Sequence, residues 1–259
     1  MAKGTYFKDS GKINTPVVVC IHGLGLNMEM WQWLLPALKR HNRVIVYDLW
    51  GHGKSDDLPS EPSLSLFREQ FKFLVEHVAI QKITLIGFSL GGMIARRIAQ
   101  DMPELIHRLV VLSSAHKRTP EAQSAILSRV EQAREEGASA TVEAALKRWF
   151  TDDFRSKSPA TIDLVRSWIL ANKKSEYYRV YRVLAEANLE IIEQDKPISC
   201  PTLVITGDED FGNGPEMAKK IADEIKQSEV IILKGLRHMA LVENPQAVIM
   251  PIIKFLAQH

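Results

Sequence analysis

The chain has 259 residues, 46% of them hydrophobic, enough for one large core carrying an insertion. Its 33 Lys and Arg against 31 Asp and Glu leave a net charge of +2 with no basic block, which excludes a nucleic-acid scaffold or an acidic-membrane binder. The first residues lack the apolar core of a signal peptide, and no apolar run approaches the ~20 residues of a membrane span, so a cytoplasmic location is expected. The two cysteines, Cys20 and Cys200, have neither a disulfide framework nor metal-ligand spacing and read as small buried apolar residues.

The first apolar strand falls at 17–21 and runs into His22-Gly23-Leu24-Gly25; a second, at 44–47, runs into Asp48-Leu49-Trp50-Gly51-His52-Gly53-Lys54-Ser55. His22 and His52 read as loop histidines that hydrogen-bond backbone. Gly53-Lys54-Ser55 mimics the tail of a phosphate-binding loop, but the glycine needed five residues before Gly53 is Asp48, so a nucleotide site is rejected. Gly23-Leu24-Gly25 likewise lacks the third glycine of a dinucleotide fingerprint, because Met28 stands there.

A third strand at 83–86 meets Gly87-Phe88-Ser89-Leu90-Gly91-Gly92 and then a helical pattern, and a fourth strand follows at 109–112. From about 115 to 196 strand signal disappears and four helical segments take over, near 121–136, 140–150, 159–172 and 176–193. Gly137 ends the first of them and Pro159 opens the third. Val142, Ala145, Leu146, Trp149 and Phe150 recur at helical spacing and read as packing against the rest of the molecule. Strands return at 202–205 and 230–233, each with a helix to follow, so the strands should form a parallel sheet. Neither an internal repeat nor a low-complexity stretch interrupts the pattern.

The chemistry concentrates at three of these strand ends. Gly87-Phe88-Ser89-Leu90-Gly91 has the G-x-S-x-G spacing of a nucleophile elbow, in the strand-to-helix context that such a turn needs. The two glycines clear space around a serine on a strained turn, and the helix start at Leu90 and Gly91 aims backbone N–H groups where an oxyanion could form. A base and an orienting acid must follow the serine. Gly207-Asp208-Glu209-Asp210 offers carboxylates just past one strand, and Gly235-Leu236-Arg237-His238-Met239 offers an imidazole past the next.

These residues resemble the α/β-hydrolase superfamily: Gly207 to Asp210 matches its G-x-x-D ending, and His238 through Glu243 to Pro245 its H-x-x-x-x-E-x-P run. The resemblance implies an α/β-hydrolase fold, a mostly parallel central sheet with helices on both faces and an inserted helical cap. The core would span 1–115 and 196–259 and the cap 116–195. It also implies Ser89 as nucleophile, Asp210 rather than Asp208 as acid, and His238 as base. His22-Gly23-Leu24-Gly25 matches the family's HG-x-G loop, which implies an oxyanion hole made by the backbone N–H groups of Leu24 and Leu90.

A narrower likeness lies in the cap, where Arg148-Trp149-Phe150-Thr151-Asp152-Asp153-Phe154 resembles the R-W-F-T-x-x-F segment of 3-oxoadipate enol-lactonases. It implies substrate contacts from Arg148, pairing with a carboxylate, and from Trp149, walling the pocket. Trp50, which stands where the family commonly has arginine, is expected to shape or support that pocket. Arg237 and Phe211-Gly212-Asn213-Gly214 are further departures beside the site.

The expectation is a serine hydrolase of a small ester or lactone, such as 3-oxoadipate enol-lactone, working without metal or organic cofactor. The same triad serves C–C bond hydrolases of ring-cleavage products and cofactor-free haloperoxidases, and the scaffold also serves ligand receptors. Nucleic acid and membrane are not expected partners.

Overall fold

The computed structural model describes residues 3–192 and 195–258. Seven strands form one sheet in the order β1-β3-β2-β4-β5-β6-β7: Phe7–Asp9, Val17–Ile21, Arg43–Tyr47, Ile83–Phe88, Ile106–Leu112, Thr202–Gly207 and Ser228–Leu233 for β1 to β7. All neighbouring pairs are parallel except the antiparallel edge pair β1–β3. β2, β4 and β6 are buried along almost their whole length, as strands covered by helices on both faces must be.

Eleven α-helices accompany the sheet among the described residues. Three precede or flank its first half: α1 (Leu35–Leu38), α2 (Leu64–His77) and α3 (Leu90–Asp101). Five fall between β5 and β6, namely α4 (Pro120–Glu136), α5 (Val142–Trp149), α6 (Asp152–Lys157), α7 (Pro159–Leu170) and α8 (Lys174–Glu186). The last three are α9 (Pro215–Asp223), α10 (Ala240–Glu243) and α11 (Pro245–Gln258).

The chain leaves β2 for β3 on one side and returns to β4 on the other, so the loops after β2 and β4 part company at the carboxyl edge of the sheet. Such a switch point opens a crevice, and it is where an open α/β sheet binds ligands. Helices α4 to α8 reach that edge. Asn172 Nδ2 donates to Gly25 O at 3.0 Å, Leu58 N donates to Glu176 Oε2 at 2.8 Å, and Met239 N donates to Trp149 O at 3.0 Å.

The expected strands are present, most of them a residue or two longer than the apolar runs alone suggest. Neither β1 nor α6 was expected. β1 is three residues, Phe-Lys-Asp, too short for a hydrophobic period and stabilised by pairing to β3. α6 is capped by Thr151, whose Oγ1 accepts from Phe154 N at 3.3 Å, with Asp152 and Asp153 favourably placed in its first turn. The fourth expected helix ends at Glu186 and continues as a 3-10 turn over Ala187–Glu190; its expected last residue, Glu193, lies outside the described residues.

Packing leaves no room for a side chain at Gly91, where a Cβ would sit 2.5 Å from the His22 carbonyl oxygen and closer still to that of Ile21. Backbone cannot retreat from such a contact without separating α3 from β2. Gly91→Ala is therefore expected to cost at least about 2 kcal/mol of unfolding free energy in urea titration, or to prevent folding. A midpoint equal to wild type would contradict this packing.

Candidate active site

Ser89 follows β4 with φ 54° and ψ −114°, a backbone that an L-residue holds only when its surroundings impose it. Its N–H donates to Leu112 O at 2.8 Å, and its carbonyl accepts from Ser114 Oγ at 2.8 Å and Gly92 N at 3.0 Å. The turn thus locks onto β5 on one side and α3 on the other. Leu90 N is the first amide of α3, where helical geometry supplies no acceptor. The loop after β2 lies against the same serine: a Cβ on Gly23 would come within 3.1 Å of Ser89 Cβ and 3.0 Å of the Phe88 ring. Neither Leu24 N–H nor Leu90 N–H donates to another group among the described residues, so both stay available to a ligand.

His238 and Asp210 meet on the other side of Ser89. His238 Nδ1 lies 2.8 Å from Asp210 Oδ2, and the other carboxylate oxygen accepts from Gly212 N at 3.1 Å and Asn213 N at 3.0 Å. With an ionised Asp210, Nδ1 carries the proton and Nε2 keeps its lone pair. Asp208, the rival acid, instead accepts from Gly235 N at 2.7 Å on the exposed surface. The imidazole is held between Phe88 and Trp149, with ring centroids at 4.9 and 5.6 Å. Ser89 and His238 line one cavity, but no hydrogen bond joins the hydroxyl to the imidazole among the described residues. Hydrogen bonds of this kind are often long before a ligand binds.

The two loop histidines brace the backbone opposite. His22 Nε2 accepts from Leu49 N at 2.9 Å with Nδ1 2.8 Å from Gly23 O, and His52 Nε2 accepts from Gly25 N at 3.0 Å. Leu24 is therefore flanked by residues pinned through imidazoles. Burial pushes His22 down to about 4; burial and then the neighbouring His22 push His52 down to about 3. Asp48 lies beneath, its two oxygens accepting from Met28 N at 2.7 Å and Lys54 N at 2.8 Å.

The cavity has a volume of about 230 Å³, suited to a small ligand. Leu24, Ser89, Arg148, Trp149, Asp210 and His238 all line it, so the structure brings together most of the side chains singled out in the sequence. Trp50 requires correction. Its indole is buried away from this cavity, donates from Nε1 to Lys3 O at 3.2 Å and packs on Phe73, beside a separate surface hollow. The Leu90 side chain is likewise buried in the core and forms no pocket wall, whereas that of Leu24 does.

Sequence reasoning missed several lining residues, chiefly Arg118, Arg129, Tyr177 and Tyr181. One signal was present: Ala122, Ala125, Ile126 and Arg129 follow the i, i+3, i+4, i+7 spacing of a single face of α4. Arg237 also has a place. Its guanidinium donates to Phe150 O at 2.8 Å and Lys147 O at 3.1 Å, at the end of α5, and lies 5.2 Å from the Phe211 ring. No group of three or more metal-ligating side chains, and no helix long and apolar enough to cross a membrane, occurs among the described residues.

Residues 16–245 match the model of the alpha/beta hydrolase fold family, and the chain belongs to that family. Two curated relatives come from Acinetobacter baylyi. An (E)-2-((N-methylformamido)methylene)succinate hydrolase is 29% identical over 231 residues, 89% of this chain and 86% of that protein. A 3-oxoadipate enol-lactonase is 29% identical over 237 residues, 92% and 87% of the two chains. Among solved structures, the enol-lactonase from Burkholderia xenovorans LB400 superposes with a TM-score of 0.90 at 26% identity, covering 98% of this chain and 96% of that one. The protein is an enzyme of the hydrolase class.

The two braced histidines set a pH dependence of stability. Their folded pKa values lie below the ~6.5 of free imidazole, so between that value and about 4 for His22 or about 3 for His52 the unfolded chain binds more protons. Their contribution is complete above pH ~6.5 and declines as the pH falls through that window. Urea midpoints should drop from pH 7 to pH 5, and His52→Gln, whose amide oxygen can still accept from Gly25 N, should flatten the drop. An equal slope in the variant would contradict the assignment.

Proposed function

We propose that the protein hydrolyses a carboxylic ester or lactone of a small molecule through an acyl-enzyme on Ser89. The observation that carries this reading is the His238–Asp210 pair at 2.8 Å, facing the strained Ser89 across a shared cavity. In this reading Ser89 Oγ attacks the carbonyl carbon while His238 Nε2 takes its proton. Asp210 fixes the tautomer that leaves Nε2 free and stabilises the imidazolium. The carbonyl oxygen gains negative charge and accepts from Leu24 and Leu90 N–H, each such donor worth about 3 kcal/mol in a comparable hydrolase. His238 returns the proton to the departing alkoxide or enolate, leaving the acyl group on Ser89. Water, deprotonated by His238, then releases the carboxylic acid and restores the serine.

In the same proposal 1–115 and 196–259 form the catalytic core and 116–195 a helical cap, supported by the contacts of α5, α8 and the turn between α7 and α8 with the loops at the carboxyl edge. Arg148 pairs with a substrate carboxylate and Trp149 walls the pocket, supported by their place in the cavity lining and by the enol-lactonase likeness. The succinate-derived substrate named for the other curated relative is also acidic, which favours an anionic small molecule over a neutral lipid ester.

Ser89→Ala and Asp210→Asn should each lower kcat/KM by about 10⁴-fold or more without changing the fold by circular dichroism. On a panel of p-nitrophenyl acetate, an enol-lactone and a vinylogous ring-cleavage diketone, the ester or lactone should have the highest kcat/KM. Preferential cleavage of the diketone would replace the reading with a C–C hydrolase. Wild-type-like turnover by Ser89→Ala would remove it altogether.

A further inference from the structure

Three guanidinium groups, Arg118, Arg129 and Arg148, line the cavity that holds Ser89 and His238, and Asp210 is the sole carboxylate in that lining. Asp210 is already committed to His238 and two backbone amides. Among the described residues none of the three arginines forms a salt bridge. Charged groups half-buried without counter-charge are costly, and each is ordinarily paired.

Their donors are used unequally. Arg118 donates to Leu184 O at 3.0 Å and to Ala185 O at 3.2 Å, satisfying carbonyls at the end of α8, so it presents charge more than free N–H groups. Among the described residues Arg129 uses only Nε, donating to Tyr181 Oη at 3.1 Å, and its two terminal nitrogens make no hydrogen bond. Arg148 makes no hydrogen bond among the described residues. Burial and then the Arg129 charge hold Arg118 down to about 10, and the same two causes in the same order lower Arg148. Arg129 is thus within electrostatic reach of both, and the three form one positive wall of the cavity that Ser89 lines.

We propose that this wall is a double anion subsite, so that the substrate carries two carboxylates when Ser89 attacks: one held by Arg148, the other by Arg129 with Arg118 behind it. The chemical class is an ester, lactone or related acyl derivative of a di- or tricarboxylic acid. The proposal rests on the acyl-transfer reading of the cavity and narrows it: a lactone with a single free carboxylate leaves Arg129 unpaired and is a poorer substrate. Binding to a preformed cationic wall also confers salt sensitivity, since added ions screen the partly exposed charges.

Calorimetric binding to the intact protein tests this without requiring turnover, so it remains informative even if Ser89 is not the nucleophile. Glutarate should bind at least ten-fold more tightly than pentanoate, its singly charged counterpart of equal chain length, as expected for one additional charge-assisted contact. Arg129→Gln should reduce that advantage to about two-fold or less, and 0.5 M NaCl should reduce it in wild type. Because the comparison between the two acids needs no variant, a poorly folding Arg129→Gln leaves it decisive. Equal affinity for glutarate and pentanoate in wild type, or an undiminished advantage in a folded Arg129→Gln, would overturn the double subsite.

Discussion

The backbone at Ser89 is the constraint on which the rest of the molecule turns. A residue at φ 54° and ψ −114° costs about 1–3 kcal/mol relative to relaxed backbone and persists because its neighbours leave no alternative. Gly91 lets α3 approach the end of β2, Gly23 lets the adjoining loop lie against Phe88 and Ser89, and Ser114 holds the Ser89 carbonyl from the end of β5. Strand order adds the last requirement: with β2 and β4 adjacent and their connections diverging, the turn opens into a crevice instead of being roofed by its own chain.

The histidine side of the crevice is tied to the inserted helices as firmly as to the sheet. Met239 N donates to Trp149 O, Arg237 donates to the carbonyls ending α5, and Glu243 accepts from Thr151 Oγ1 at 2.6 Å. The residues either side of His238 therefore hold the segment that carries Arg148 and Trp149. Any displacement of α5 would be felt at the imidazole, which is packed against the Trp149 ring. In the proposed reaction this couples occupancy of the anion wall to the alignment of the base, through contacts of a few ångströms.

Much of this arrangement was legible in the residues. Parallel strands buried on both faces read as continuous apolar runs, so β2 to β7 could be located; the glycines around Ser89 and the acid and histidine after β6 and β7 follow from what the turn chemistry requires. The rest depended on tertiary contact. β1 has no period of its own and exists through β3. Trp50 sits beside the right loop in sequence, yet the Lys3 carbonyl and the Phe73 ring hold its indole at a separate surface hollow. Arg118 and Arg129 look like ordinary charges just before and along an amphipathic helix; only the docking of α4 and α8 reveals that they line the cavity of Ser89, without acidic partners among the described residues.

The central claim is that Ser89 is made nucleophilic by His238 across the cavity. The most direct test is mass-spectrometric peptide mapping of the adduct left by a fluorophosphonate. A single phosphonyl group on the peptide containing Ser89, formed at least a hundred-fold more slowly in His238→Ala, is the predicted result. An adduct on any other serine, including the neighbouring Ser113 or Ser114, or labelling of Ser89 that is indifferent to His238, would contradict the account.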